Sequence, residues 1–251
     1  MTADTTPWRP SSQTLHRARD GALLLGLALV LLLLQGAADM ALAHGVQGKD
    51  AAFVAANSGP QPIAFLYLGA KHMVTGYDHL LFLLGVIFFL YRLKDVALYV
   101  TLFSVGHSIT LLAGVLGKIH VNPFLVDAII GLSVAYKAFD NLGGFKTVFG
   151  VQPDTRLAVL GFGLIHGFGL ATKLQALELS PNGLLINMIA FNIGVELGQL
   201  IALAVILGAI VWWRARPRFN KQAIAANGAL MAAGFLLVAY QLAGYVLEGR
   251  A

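Results

Sequence analysis

From residue 63 to residue 247 the chain is almost continuously apolar, and what interrupts it is short and charged or turn-forming. Six hydrophobic runs can be drawn, at roughly 63–91, 96–117, 122–140, 157–177, 184–213 and 224–247. Each reaches about the 20 residues that a helix needs to cross a bilayer, and the first and fifth exceed it. The separators carry Arg92 to Asp95, Gly117-Lys118, Gly143 through Arg156, Ser180 to Gly183, and Arg214 to Lys221. Strands of a membrane barrel would alternate apolar and polar residues, and these runs do not. Only 12% of residues are charged, against about 25% in an ordinary soluble domain. The pattern predicts an all-α polytopic membrane bundle of about six transmembrane helices occupying residues 63–251, with no soluble domain left over.

Ahead of the bundle, residues 1–43 have the form of a secretory leader. Arg9, Arg17 and Arg19 make a basic start, and Gly21 to Leu34 is an apolar run of 14 residues. That is short for a membrane span. Ala41-Leu42-Ala43 then supplies a small-x-small cleavage site, which makes His44 the first mature residue. The other reading is an uncleaved anchor helix reaching Ala38. Residues 44–62 form a short external segment. After cleavage His44 would offer an amine and an imidazole to a divalent metal; equally, it is an exposed histidine with no role.

Lysine and arginine fix the expected orientation. With the mature N-terminus outside, the inner side receives nine: Arg92, Lys94, Lys137, Lys146, Arg156, Arg214, Arg216, Arg218 and Lys221. The outer side receives five, Lys49, Lys71, Lys118, Lys173 and Arg250. This is the arrangement of a multi-pass protein of the inner (cytoplasmic) membrane, and Trp212-Trp213 sit where an interfacial belt belongs. The net charge of +5 is therefore mainly a topology signal. No basic cluster interleaves with aromatics on a soluble surface, so nucleic acid is not an expected partner. The absence of cysteine excludes disulfide scaffolds, thiolate metal sites and thiol catalysis.

Ionisable side chains inside a span cost several kcal/mol unless paired or hydrated, so each marks a candidate functional position. Here they are His72, Asp78 and His79 in the first run, His107 in the second, His166 in the fourth and Glu196 in the fifth. Asp127 and Asp140 stand near the ends of the third. His79, His107, His166 and Glu196 lie 10 to 16 residues inward from basic or tryptophan markers. At about 1.5 Å per residue that places them in one slab, about 15–24 Å from the inner face.

Helical geometry sharpens the roles. His72 and His79 share a face but would be about 10 Å apart along a straight helix, too far to bind one ion through bonds of about 2 Å. Either Gly76 breaks the helix or the two are successive stations along a path. Asp78 points about 100° from His79 on a regular helix, which suits it to orient a histidine on another helix. Ser104 and Thr101 form a polar stripe with His107. Gly163 and Gly167 permit close helix approach beside His166. Asn192 and Gln199 flank Glu196 at i, i+4, i+7 spacing. Phe103-x3-His107 and Phe162-x3-His166 hint at an internal repeat. From the residues alone, a metal permease, an intramembrane zinc hydrolase using Ser104, and a proton-coupled carrier of an organic solute all remain open.

The string His72-x5-Asp78-His79 on a membrane segment, with His107-Ser-Ile-Thr-Leu, Asp140-Asn141, His166-Gly-Phe-Gly and Asn192-x-Gly-x-Glu196-x-Gly-Gln199, resembles the HupE/UreJ family. The resemblance runs from about Phe65 to Leu207. It implies a membrane permease for a divalent transition-metal cation, nickel or cobalt favoured, rather than an enzyme. On that reading His72, Asp78, His79, His107, His166 and Glu196 would bind the metal, with Ser104, Asn192, Gln199, Asp140 and His44 beside the path. No permanently bound cofactor is expected, and partners would be the bilayer, the metal, further copies of the chain or metalloprotein-maturation factors. One departure stands out: better-studied members pack two histidines and a glutamate into a second motif. Here that neighbourhood holds only His166, and Glu196 comes from the next run, as in a divergent branch. Imidazole and carboxylate also suit zinc and copper(II), while the lack of thiols argues against copper(I).

Overall fold

The computed structural model describes residues 48–56, 58–177 and 179–248, and every regular element among them is helical. The leader, its cleavage site and His44 lie outside the described residues. In chain order the helices are α1 (Gly48–Ala56), α2 (Pro62–Thr75), α3 (Tyr77–Ile87), α4 (Leu93–Gly117), α5 (Pro123–Asn141), α6 (Gly144–Phe149), α7 (Thr155–Gln175), α8 (Leu184–Arg214) and α9 (Phe219–Glu248). Local chemistry sets several of the starts. Pro62 and Pro123 occupy first-turn positions, where a missing N–H costs nothing. The Asn122 side chain accepts from Leu125 N–H at 3.2 Å, and Asp154 accepts from Arg156 N–H at 2.7 Å, relieving donors that a helix N-terminus leaves unpaired.

Among the described residues four helices are long and apolar enough to cross a membrane: α4, α7, α8 and, in α9, Phe219–Leu247. The first hydrophobic run is not one helix. It breaks at Gly76 (φ −76°, ψ 87°) into α2 and α3, of 14 and 11 residues. α5 has 19 residues but carries Asp127, Lys137 and Asp140. Lys137 and Lys173, counted above among the charges at the membrane faces, both form ion pairs: Lys137 with Asp140 at 2.5 Å, and Lys173 with Asp127 at 2.8 Å.

The long helices associate chiefly in three pairs, α2 with α8, α4 with α7, and α5 with α9. Glycine makes each approach possible. A Cβ on Gly198 would lie 2.6 Å from the Ala70 carbonyl oxygen, one on Gly163 would lie 2.5 Å from the Phe103 carbonyl oxygen, and one on Gly234 would lie 2.6 Å from Ala135 N. Lipid tails are as apolar as leucine, so close backbone packing of this kind, rather than hydrophobic burial, joins helices inside a bilayer.

The short helix α3 needs separate anchoring, because the last four carbonyls of a helix have no partner within it. Asn141 of α5 donates to Gly85 O at 2.8 Å and also to Asn227 Oδ1 of α9 at 2.9 Å. The Arg214 guanidinium, at the end of α8, donates to the carbonyls of Ile87, Phe88 and Leu90 at 2.8, 2.5 and 2.7 Å. It also lies 4.4 Å from the Tyr91 ring centre. A cation at a helix C-terminus is favoured by the macrodipole as well.

The pairing predicts a contrast between two glycines on α7. Gly163→Ala should lower thermal stability in detergent by the equivalent of about 1–3 kcal/mol, the usual cost of overpacking. Gly161→Ala, where an added Cβ meets nothing within 4 Å, should leave the thermal midpoint unchanged or slightly raised. Equal effects from the two substitutions would contradict the role given to Gly163.

Candidate metal centre

The break at Gly76 is what builds the centre. His72 occupies the last turn of α2, and Asp78 and His79 the first turn of α3. The bend brings the His72 and His79 ring centres to 5.2 Å, about half the separation a straight helix would impose. Of the two alternatives left open by the spacing, the broken helix is the one observed.

His79 is the hub. His107, from the middle of α4, lies 5.5 Å from it between ring centres, and His166, from the middle of α7, lies 5.0 Å away. With metal–nitrogen bonds of about 2 Å, two imidazoles on one tetrahedral ion have ring centres about 5 Å apart. All three spacings to His79 are close to that value. The rings meet edge to face at 68–80°. Among the described residues no group of three or more His, Asp or Glu side chains is closed around a point that would hold a metal ion. The centre is thus a set of neighbouring imidazoles rather than a finished coordination shell.

Burial and hydrogen bonding define how these rings can act. His72, Asp78, His79, His107 and His166 are each at most 6% exposed. Phe103 packs 5.0 Å from His166 and 6.0 Å from His79, Phe82 lies 5.6 Å from His166, and Phe191 lies 6.0 Å from His72. Of these walls only Phe103 was noted in the sequence, and only as part of a repeat, because a phenylalanine within an apolar run carries little distinguishing signal. Asp78 Oδ1 lies 3.0 Å from Nδ1 of its own neighbour His79. This pairing with its own neighbour was not expected from the sequence: the 100° rule holds along a regular helix, and Asp78 and His79 sit in a first turn just after a break. With Nδ1–H donated to Asp78, the His79 lone pair resides on Nε2. His166 behaves alike, its Nδ1 lying 2.6 Å from Phe162 O. A partner on one ring nitrogen fixes the tautomer and orients the other, as in metal-binding imidazoles. His107 differs: both of its ring nitrogens are buried and neither has a hydrogen-bond partner.

The remaining sequence candidates are dispersed. Glu196 is exposed on α8 and lines a groove with Thr101, Ser104 and Ser108 of α4. Asn192 and Gln199 are buried. Asn192 donates to Met188 O at 2.9 Å, and Gln199 donates across to Val100 O at 3.4 Å. Glu196 lies about 40° and 60° round the helix from Asn192 and Gln199, enough to move it off their buried face. Asp140 accepts from Lys137 and Gln152 at the C-terminal end of α5. Arg214 and Asn141, which hold α3, were legible only as a topology marker and as part of a motif.

Among the described residues, four apolar helices long enough to cross a bilayer and a buried cluster of imidazoles define a helical membrane protein with histidines in its interior. The chain matches the HupE / UreJ protein family over residues 48–249, and it belongs to that family. No curated protein and no solved structure matches it.

His107 offers a test that separates a ligand from a packing residue. A buried polar group left unsatisfied costs about 1–3 kcal/mol. His107→Leu should therefore raise the thermal midpoint of the metal-free protein while weakening its binding of nickel or cobalt. A lowered midpoint with metal binding intact would mean that His107 serves packing alone.

Proposed function

We propose that the chain is a permease for a divalent transition-metal cation, nickel or cobalt favoured, and that His72, His79, His107 and His166 pass the ion across the middle of the membrane. The observation that carries this reading is His107. It has two buried, unpartnered nitrogens, 5.5 Å from a histidine whose own partner turns Nε2 into the ligand. Imidazole donors suit nickel, cobalt, zinc and copper(II). Rings at co-ligand spacing that are not already closed on a point suit a site that must both take up and release its ion. Asp78 orients His79 and offsets part of the ion's charge. Ser104 lines the groove with Glu196, which supports giving it no role as a nucleophile at the imidazoles.

In this reading α2 and α3 together make the first crossing and α5 the third. Discontinuous helices of this kind form the midplane sites of many transporters. The excess of basic residues, nine against five, supports an inner-membrane orientation with the mature N-terminus outside. Inward movement of a divalent cation then gains about 4.6 kcal/mol per 100 mV of membrane potential, twice the single-charge value. The potential alone suffices to drive uptake.

Accumulation of nickel, cobalt, zinc and copper by cells or proteoliposomes tests the reading. Uptake of the true substrate should fall in His79→Ala and His107→Ala by at least the roughly 10–100-fold that loss of a partner behind a ligand costs; unchanged uptake in both would refute it. Asp78→Asn should weaken metal binding by about 10–100-fold, the usual effect of removing a partner behind a ligating histidine, with the fold retained by thermal unfolding. An affinity equal to the wild type would remove Asp78 from the site.

A further inference from the structure

We propose that the seam between α4 and α8 holds a second cation site, separate from the imidazoles and lined by oxygen, that takes a hard monovalent cation. A groove of about 230 Å³ opens on this seam. Its polar lining is Thr101, Ser104 and Ser108, at i, i+3 and i+7 along α4, and Glu196 facing them from α8. The rest of its lining is apolar, and Glu196 is the one titratable group on it among the described residues.

These four side chains make no hydrogen bond or ion pair within the described protein. That is unusual for hydroxyls in apolar helices: Thr110, Ser133 and Thr172 bond to carbonyls of their own helices at 3.1, 2.6 and 3.1 Å. Ser104 is only 6% exposed, so its hydroxyl has little bulk water to turn to. Thr101 to Ser108 is the middle third of α4, and a bare carboxylate at that depth costs several kcal/mol. Among the described residues no lysine, arginine or histidine lines the groove. The described residues offer Glu196 no counter-charge, and a bound cation would supply it.

The donor set selects the ion. One carboxylate and three hydroxyls are hard oxygen ligands, with no nitrogen or sulfur to favour a transition metal. One negative charge is balanced by one positive charge, whereas magnesium and calcium are held by more carboxylates or by retained water. Sodium and a proton on the Glu196 carboxyl both satisfy that chemistry.

The seam is also built to respond. α4 spends its glycine face on α7, and α8 spends its own on α2. Between α4 and α8 the one hydrogen bond among the described residues is Gln199 to Val100 O, at a long 3.4 Å. A cation held by oxygens from both helices would draw them together. Ser104 is one turn from His107, so occupancy of the groove would be felt at the imidazoles. This last step rests on the permease reading; the cation site itself does not.

The test uses the full chain, purified in detergent and stripped of transition metals. Thermal stability and binding of radioactive sodium are measured in sodium against choline chloride, at several pH values, for wild type, Glu196→Gln and Ser104→Ala. We expect sodium to bind and stabilise the wild type, the effect to be lost in Glu196→Gln and reduced in Ser104→Ala, and nickel or cobalt binding to keep its stoichiometry in Glu196→Gln. If sodium has no effect but the pH dependence of wild-type stability disappears in Glu196→Gln, the cation is a proton. Three results would overturn the proposal: no sodium or pH response that separates wild type from Glu196→Gln, sodium binding that survives in Glu196→Gln, or an oligomer that falls to monomer in that variant, which would put a second copy of the chain against Glu196. Loss of nickel or cobalt binding by the wild type with sodium binding intact would count against the permease reading alone.

Discussion

The centre depends on one interrupted helix. Gly76 ends α2, where its N–H still reaches His72 O at 2.8 Å, and its own carbonyl accepts from Leu80 N at 3.2 Å to begin α3. A side chain there would crowd His72 O and His79 Nδ1, each 3.0 Å from an added Cβ. The break therefore does more than change direction. It places the carbonyl end of α2, carrying partial negative charge, and the amide end of α3, carrying partial positive charge, beside the same imidazoles. The first favours a cation and the second opposes it. Asp78, in the first turn of α3, compensates the second and orients His79 in the same act.

The rest of the bundle holds this junction from several sides. His72 belongs to the α2–α8 pair and His107 and His166 to the α4–α7 pair, while His79 stands between them on α3. Glycine contacts make each pair a close-packed unit, so the imidazoles lie where two such units meet. α3 is too short to hold itself there. Its C-terminal end is fixed by Asn141 and by the three carbonyl bonds of Arg214. An unpaired carbonyl within a bilayer costs several kcal/mol, so these bonds stabilise the fold as well as setting the position of His79.

Much of this was legible in the sequence, for identifiable reasons. Hydrophobic length and the charges between runs marked the helices, because a bilayer tolerates few alternatives. His79, His107 and His166 could be placed at one depth, because rise per residue is nearly constant in a helix. Glycines 163 and 167 were read correctly as close-approach positions. What failed turned on rotation or on breaks. Glu196 shared a depth with the histidines but not their face. Asp78 departed from regular helical geometry because it follows an interruption. Arg214 was taken for a marker of the membrane surface, since its role depends on carbonyls more than a hundred residues away in the chain. The leader and His44 lie outside the described residues.

The central claim is that four histidines from four helices form a single transition-metal centre. X-ray absorption at the metal edge of the nickel- or cobalt-loaded protein tests it most directly. We expect at least three imidazole nitrogens at about 2 Å from the ion, with the characteristic outer-shell scattering of histidine rings, and one fewer ring in His107→Leu. A spectrum dominated by oxygen ligands, or one unchanged by that substitution, would contradict it.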